Sequence, residues 1–253
     1  MTDNTKLFSG KGNYYAVSRP SYPAKALEWL FQHCPGAENV VDIGAGTGIF
    51  TSLLQKIFPH VCAVEPNCDM QKEFIRAFPD IELLSGTGEN TTLPEQSVDL
   101  ITVAQAFHWL DENLFKAEAM RILKPAGKVA IIWNNRVAGG AGEARDTMSR
   151  RYCPRFSKGY AGKRSPAAGD HFLRCEYFQK VEYFSTPNCL VMTQEQFISN
   201  ALSRSYAPKK EDAVYGEYLA NLQNIFREYA LNGTVTEEYK TEIFLGSFSN
   251  CSS

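Results

Sequence analysis

The chain has 253 residues, 44% hydrophobic, 12% aromatic and 21% charged, with a formal net charge of −2. That composition excludes disorder as the main state, and its near-neutral balance lacks the electrostatic footprint of a nucleic-acid binder. No stretch reaches the roughly 18 uncharged apolar residues of a membrane span, the start MTDNTKLFSGKGNYY has no signal-like apolar core, and the seven cysteines form neither a CxxC pair nor a Cys/His cluster. A reduced, cytoplasmic protein without a metal site or disulfide framework is therefore expected, with Cys34 and Cys62 as small core residues.

In chain order, Pro23–Cys34 reads as a helix with Ala26, Leu27, Leu30 and Phe31 apolar. Asn39–Ile43 is a short strand ending in glycine-rich sequence. Gly48–Phe58 has apolar residues at helical spacing and is stopped by Pro59. Val61–Glu65 is a second strand. Asn67 is placed to cap a helix Cys68–Phe78, which Pro79 stops. Ile81–Ser85 and Val98–Ala104 are the third and fourth strands, and Asp111 caps a helix over 112–124. Lys128–Trp133 is the fifth strand. Beyond it, Gly139–Gly142 reads as a hinge or loop and Ala144–Cys153 as a basic helix. Tyr177–Ser185 alternates like an antiparallel edge strand. Thr193 and Gln196 form a capping box for a helix to about Ser203, Glu211–Leu231 is another helix, and Glu242–Phe248 is a last strand.

Strands this apolar have no wet face, and their alternation with helices predicts an α/β fold. The expected architecture is a Rossmann-like, doubly wound, seven-stranded sheet, mostly parallel with an antiparallel last strand, plus a helical C-terminal insertion or lid. One elaborated domain over 1–253 is expected. It comprises a cofactor-binding core at 39–136, an N-terminal lid and helix at 1–38, a helical insertion and acceptor pocket at 139–235, and a late strand at 240–248.

The informative stretch is Val41-Asp42-Ile43-Gly44-Ala45-Gly46-Thr47-Gly48. A glycine-rich turn between a strand and a helix lets the backbone approach a nucleotide closely. Two cofactor classes use it. The dinucleotide fingerprint G-x-G-x-x-G is met at Gly44 and Gly46 but has Ile49 at its third glycine. The alternative, G-x-G-x-G after an acid, resembles class I S-adenosylmethionine-dependent methyltransferases. Glu65 ends the next strand, 23 residues after Asp42, where a carboxylate can accept from both ribose hydroxyls of either cofactor.

Four more stretches carry the methyltransferase resemblance. Ser85-Gly86-Thr87-Gly88-Glu89 with Leu93-Pro94 and Ser97-Val98-Asp99 resembles the "G-D-A-E…L-P…S-x-D" of that family, with Thr87 in the usual Asp slot. Leu123-Lys124-Pro125-Ala126-Gly127 resembles its "L-K-P-G-G" turn. Together the matches run in family order over about 39–136, and the chain is identified as a member of the methyltransferase-11-type branch. Tyr14–Pro23 and Ala104-Gln105-Ala106-Phe107-His108-Trp109-Leu110 are similar to segments of its trans-aconitate methyltransferase-related subset.

The resemblance implies S-adenosylmethionine as cofactor. Its cofactor set here is Tyr14, Arg19, Asp42, Gly44, Ala45, Gly46, Gly48, Glu65, Pro66, Met70, Thr87, Gly88, Glu89 and Gln105. Asp42 would stabilise the methionyl amine, Arg19 the methionyl carboxylate, Pro66 and Met70 an adenine face, and Gly88 or Glu89 the adenine amino group. His108, Trp109, Asn134 and Arg136 would orient a small-molecule acceptor. Arg136 and Arg204 would favour an acidic one, with solvated surface charge as the competing reading. Methyl transfer is an in-line displacement governed by positioning. A carboxylate acceptor needs no base, whereas an alcohol or phenol would need one, and His108 is that candidate. An NAD-dependent oxidoreductase and a cofactor-binding regulator without transfer activity are the alternatives.

Overall fold

The computed structural model describes residues 20–154, 156, 172, 177–204 and 206–248. Tyr14 and Arg19 lie outside the described residues. The elements in order are α1 (Ala24–His33), β1 (Asn39–Ile43), α2 (Thr51–Leu54), β2 (His60–Val64), α3 (Cys68–Ala77), β3 (Glu82–Leu84) and β4 (Val98–Ala104). They continue with α4 (Glu112–Ile122), β5 (Leu123–Arg136), α5 (Gly140–Tyr152), β6 (Lys180–Met192), α6 (Gln194–Leu202), α7 (Tyr215–Tyr229) and β7 (Val235–Ser247).

The seven strands make one sheet in the order β3-β2-β1-β4-β5-β7-β6. β1 to β5 pair in parallel, and β7 is antiparallel to both β5 and β6. Period-two alternation divides the strand residues between two layers. Val41, Ile43, Ile101, Val103, Ile131 and Trp133 join one cluster with Phe115 and Ile122 of α4. Val40, Leu100, Ala130 and Ile132 join another with Leu30 of α1 and Leu54 of α2. A third cluster packs α5, α6 and α7 together with Met192 and Val235. This is the fold the apolar strands predict.

Local signals placed most element ends. Asn67 accepts from the amides of Asp69 and Met70 at 3.0 and 3.1 Å, and Asp111 accepts from Asn113 and Leu114 at 3.0 and 3.1 Å. Thr193 and Gln196 form the expected capping box. Five expectations need correction. The helix expected over Gly48–Phe58 has one regular turn, Thr51–Leu54. Around it Leu53 and Ile57 donate three residues back, to Phe50 and Leu54, tightening the backbone away from α geometry. α4 stops at Ile122 and β5 begins at Leu123, because Pro125 drives Lys124 into extended backbone. Gly140–Gly142 lies inside α5, not in a hinge. The late strands are longer than expected: β6 and β7 zip over thirteen residue pairs, Lys180↔Ser247 to Met192↔Val235, and Pro187 is tolerated because β6 is an edge. Phe31 is 52% exposed and does not join the buried face of α1. Cys34 is buried, and burial pushes its thiol to about 11.

Candidate active site

The carboxyl ends of β1, β2, β3 and β4 meet through their loops, where a parallel α/β sheet holds its ligands. Gly44, Gly46 and Gly48 all take positive φ (70°, 59° and 87°), a conformation that glycine adopts without strain. A Cβ at Gly44 would sit 2.5 Å from the Ala106 Cβ in the loop after β4. A Cβ at Gly48 would meet the Phe74 and Phe78 rings at 2.7–2.9 Å, so this glycine lets α3 close onto the loop. A Cβ at Gly88 would meet Leu110 at 2.8 Å and Ile43 at 3.2 Å. The glycines therefore permit three loops to pack against one another.

Asp42 lies beneath this assembly, 1% exposed. Its two oxygens accept from Thr51 Oγ1 at 2.6 Å and Thr102 Oγ1 at 2.9 Å, joining β1, α2 and β4. Burial pushes its carboxyl from 3.8 to about 6, against the lowering effect of the two hydroxyls. Glu65 is also buried. It accepts from the Gly46 amide and the Asn67 amide, each at 2.8 Å. Burial raises its carboxyl above the ordinary carboxylate value while those amides pull it down. Glu65 thus fixes the glycine loop to the start of α3, and each oxygen retains lone-pair capacity.

The remaining expected cofactor residues fall around these two acids. The amides of Gly44 and Ala45 both donate to the Val64 carbonyl, which anchors the loop to β2. Pro66 is half-buried, and Met70 is buried in the first turn of α3. Thr87 pairs with Asn90 in a tight turn that carries Gly88. Glu89 accepts from the Asp111 amide at 2.9 Å and so ties that turn to the start of α4. Thr47, inside the glycine loop, has a buried hydroxyl with no partner among the described residues. Sequence reasoning passed over it, and its position within G-x-G-x-G was the available signal.

Of the residues expected at the acceptor, His108 and Trp109 lie in a 3₁₀ turn, Phe107–Trp109, that follows β4. The His108 ring lies 4.6 Å from Trp109 and 5.4 Å from Trp133 of β5, which sequence reasoning also missed. Asn134 is less available than expected for an acceptor. Its Nδ2 donates to the Ser21 carbonyl at 3.2 Å, and its Oδ1 accepts from Thr241 and from Asn188 Nδ2. Arg136 pairs with Asp146 through Nη2, while its buried Nη1 has no partner among the described residues. Arg204 is buried, not solvated, and shares Asn200 Oδ1 with Arg145 at 3.1 Å from each.

Comparisons with known proteins agree with this geometry. Residues 41–131 match the family model described as a methyltransferase domain. An uncharacterized methyltransferase of Mycobacterium tuberculosis is 38% identical over 134 residues, which is 53% of this chain and 54% of that protein. The chain thus spans about half the length of the curated relatives it matches. A structure assigned as a type II methyltransferase of Anaeromyxobacter dehalogenans superposes with a TM-score of 0.70 at 22% identity, covering 90% of this chain and 97% of that one. A phosphoethanolamine N-methyltransferase of Haemonchus contortus, solved with S-adenosylhomocysteine, gives a TM-score of 0.55 at 14% identity, covering 97% and 58% of the two chains. Both share the fold. Residues 41–131 are thus similar to a methyltransferase domain, and the fold around them is the one these structures share. No helix among the described residues is long and apolar enough to cross a membrane.

Proposed function

We propose that the chain binds S-adenosylmethionine and transfers its methyl group to a small acidic acceptor, a carboxylate being the acceptor that fits best. The cofactor supplies a methyl group on a sulfonium, already activated for displacement. The observation that carries the reading is the loop itself. Gly44 and Gly88 are packed where a Cβ would clash, Glu65 is held at the strand end by two backbone amides, and Thr47 presents a buried hydroxyl that has no partner among the described residues. Glu65 would take the ribose hydroxyls, and Pro66 with the Thr87–Glu89 turn would flank the adenine. Thr47 would donate to the amino-acid end, and Tyr14 and Arg19 are further cofactor residues that the sequence resemblance implies.

Arg136 supports the acidic acceptor. It lies three residues beyond Trp133 on β5, against Gly142 of α5, and keeps one buried donor without a partner among the described residues. A carboxylate arrives deprotonated, so the residues need only hold it in line, about 3–3.5 Å from the methyl carbon. His108 and Trp109 orient it, and His108 becomes a base only for an acceptor that carries a proton.

S-adenosylhomocysteine at about 100 times its Kd should stabilise the fold by roughly 2.7 kcal/mol, read as a rise in Tm, while NAD should not. A screen of small carboxylic acids against their amides then tests the acceptor. Equal turnover of acids and amides would refute the acidic reading, and so would an Arg136→Gln enzyme with an unaltered KM for acids. With a carboxylate acceptor, His108→Ala should lower turnover without altering its pH profile.

A further inference from the structure

Gln105 sits where β4 ends and the acceptor-side loop begins, and its backbone is left-handed, φ 58°. For a residue with a Cβ this conformation is strained, and it persists only where the surroundings hold it. Two bonds to β5 hold it. The Gln105 amide donates to the Ile132 carbonyl at 2.9 Å, extending the strand ladder by one residue. The Gln105 side-chain Nε2 donates to the Asn134 carbonyl, also at 2.9 Å. Asn134 is itself fixed. It is buried and bonded to Ser21, Asn188 and Thr241, and Asn188 also donates to the Ser21 carbonyl at 2.8 Å.

The turn at Gln105 decides where the next four residues go. It presses Ala106 onto Gly44 of the cofactor loop, seats Phe107 in the core against Phe115, and lays His108 beside Trp133. An extended backbone at 105 would carry Ala106 away from Gly44 and separate His108 from Trp133. Both halves of the site therefore depend on one strained residue, and the tether that keeps it strained points to β5.

We infer that Gln105 is a positioning residue. Its side chain holds the left-handed turn through Asn134 and so couples the glycine loop to the His108–Trp109 loop, in place of the direct cofactor contact that the sequence resemblance implies for it. The inference rests on the S-adenosylmethionine reading above.

Three variants test it by titration with S-adenosylhomocysteine and by tryptophan emission of the ligand-free protein, in which Trp109 and Trp133 report the turn over a constant contribution from Trp29 on α1. Gln105→Gly accepts positive φ freely and should bind within about threefold of wild type. Gln105→Ala loses the tether and keeps the strain, and should bind roughly tenfold more weakly with altered emission. Gln105→Glu keeps the shape but directs a carboxylate at the Asn134 carbonyl, and should resemble the alanine variant. Equal losses in Gly and Ala would indicate direct contact of the side chain with the ligand and overturn the inference. Wild-type affinity in Ala or in Glu would also overturn it. If Ala does not fold, Gly against Glu carries the same contrast. A wild-type protein that fails to bind S-adenosylhomocysteine would refute the cofactor reading instead, and the order of emission among the variants would still test the turn.

Discussion

At the scale of single residues, two buried polar groups, Thr47 in the glycine loop and Asp42 beneath it, each carry a folding cost. A buried hydroxyl without a partner costs about 1–3 kcal/mol of desolvation, and Thr47 carries that cost where a ligand would relieve it. Thr47→Val should therefore unfold at the same or a higher temperature while binding S-adenosylhomocysteine roughly tenfold more weakly, the loss of about one hydrogen bond. Calorimetric unfolding and titration on the same preparation check both halves. Asp42 carries a different cost. Its folded value of about 6 exceeds the ordinary 3.8, so between those values the folded chain holds a proton that the unfolded chain has released. Stability contributed by this group is therefore present below about 3.8 and falls as pH rises towards 6. The shift corresponds to about 3 kcal/mol at neutrality. Asp42→Asn should flatten that part of the stability profile, measured as Tm from pH 4 to pH 7. A variant with an unchanged slope would show that the titration belongs to another group.

At the scale of elements, the loop after β3 is held to α4 by one buried carboxylate. Glu118 accepts from the Thr91 amide at 2.8 Å and hydroxyl at 2.5 Å, and from Arg121 at 2.8 Å. The bond from Arg121, with those from Thr91, lowers its carboxyl from 4.5 to about 2 despite burial. This stabilisation is complete above about 4.5 and is lost as pH falls towards 2. Glu118→Gln should cost about 1–3 kcal/mol at pH 7 and much less at pH 2, read from urea unfolding at the two pH values. The Thr87–Glu89 turn is connected to this anchor, so the variant should also weaken cofactor binding.

At the scale of the whole molecule, α5 is joined to β7 by an ion pair with almost no solvent contact. Arg145 reaches Glu237 at 2.9 Å, with Tyr239 donating to the same carboxylate at 2.8 Å. Burial alone would raise Glu237, and the Arg145 charge, the Tyr239 hydrogen bond and the charges of Arg136 and Arg204 together outweigh it, holding the carboxyl below 4.5. Removing one partner strands a buried charge and costs about 3–5 kcal/mol, whereas replacing both with apolar residues costs far less. Glu237→Gln should show the large loss, and Arg145→Met with Glu237→Leu should recover most of it, in a double-mutant cycle by denaturant unfolding. We propose that this helical layer and the sheet form one folding unit, so that calorimetry should record a single transition in every variant of the cycle.

Legible along the chain were the parallel pairing of β1 to β5, the caps at Asn67, Asp111 and Thr193, and the glycine loop with Asp42 and Glu65. Each is a local pattern: apolar runs for strands buried on both faces, short polar side chains for orphan amides, and glycines where positive φ is needed. What those residues face is set by packing between distant parts of the chain. The acid before the glycines is bound to Thr51 and Thr102, which follow it by 9 and 60 residues, and Asn134 is engaged by Ser21, Asn188 and Thr241, the latter two from strands that follow it. Likewise Arg145 and Arg204 read as charges and are buried, because Glu237 and Asn200 come from segments 92 and 55 residues beyond Arg145. Backbone preference acts over a few residues and is written in order along the chain. The partners that desolvate and satisfy a polar group are chosen by packing between distant strands, and sequence spacing does not encode them.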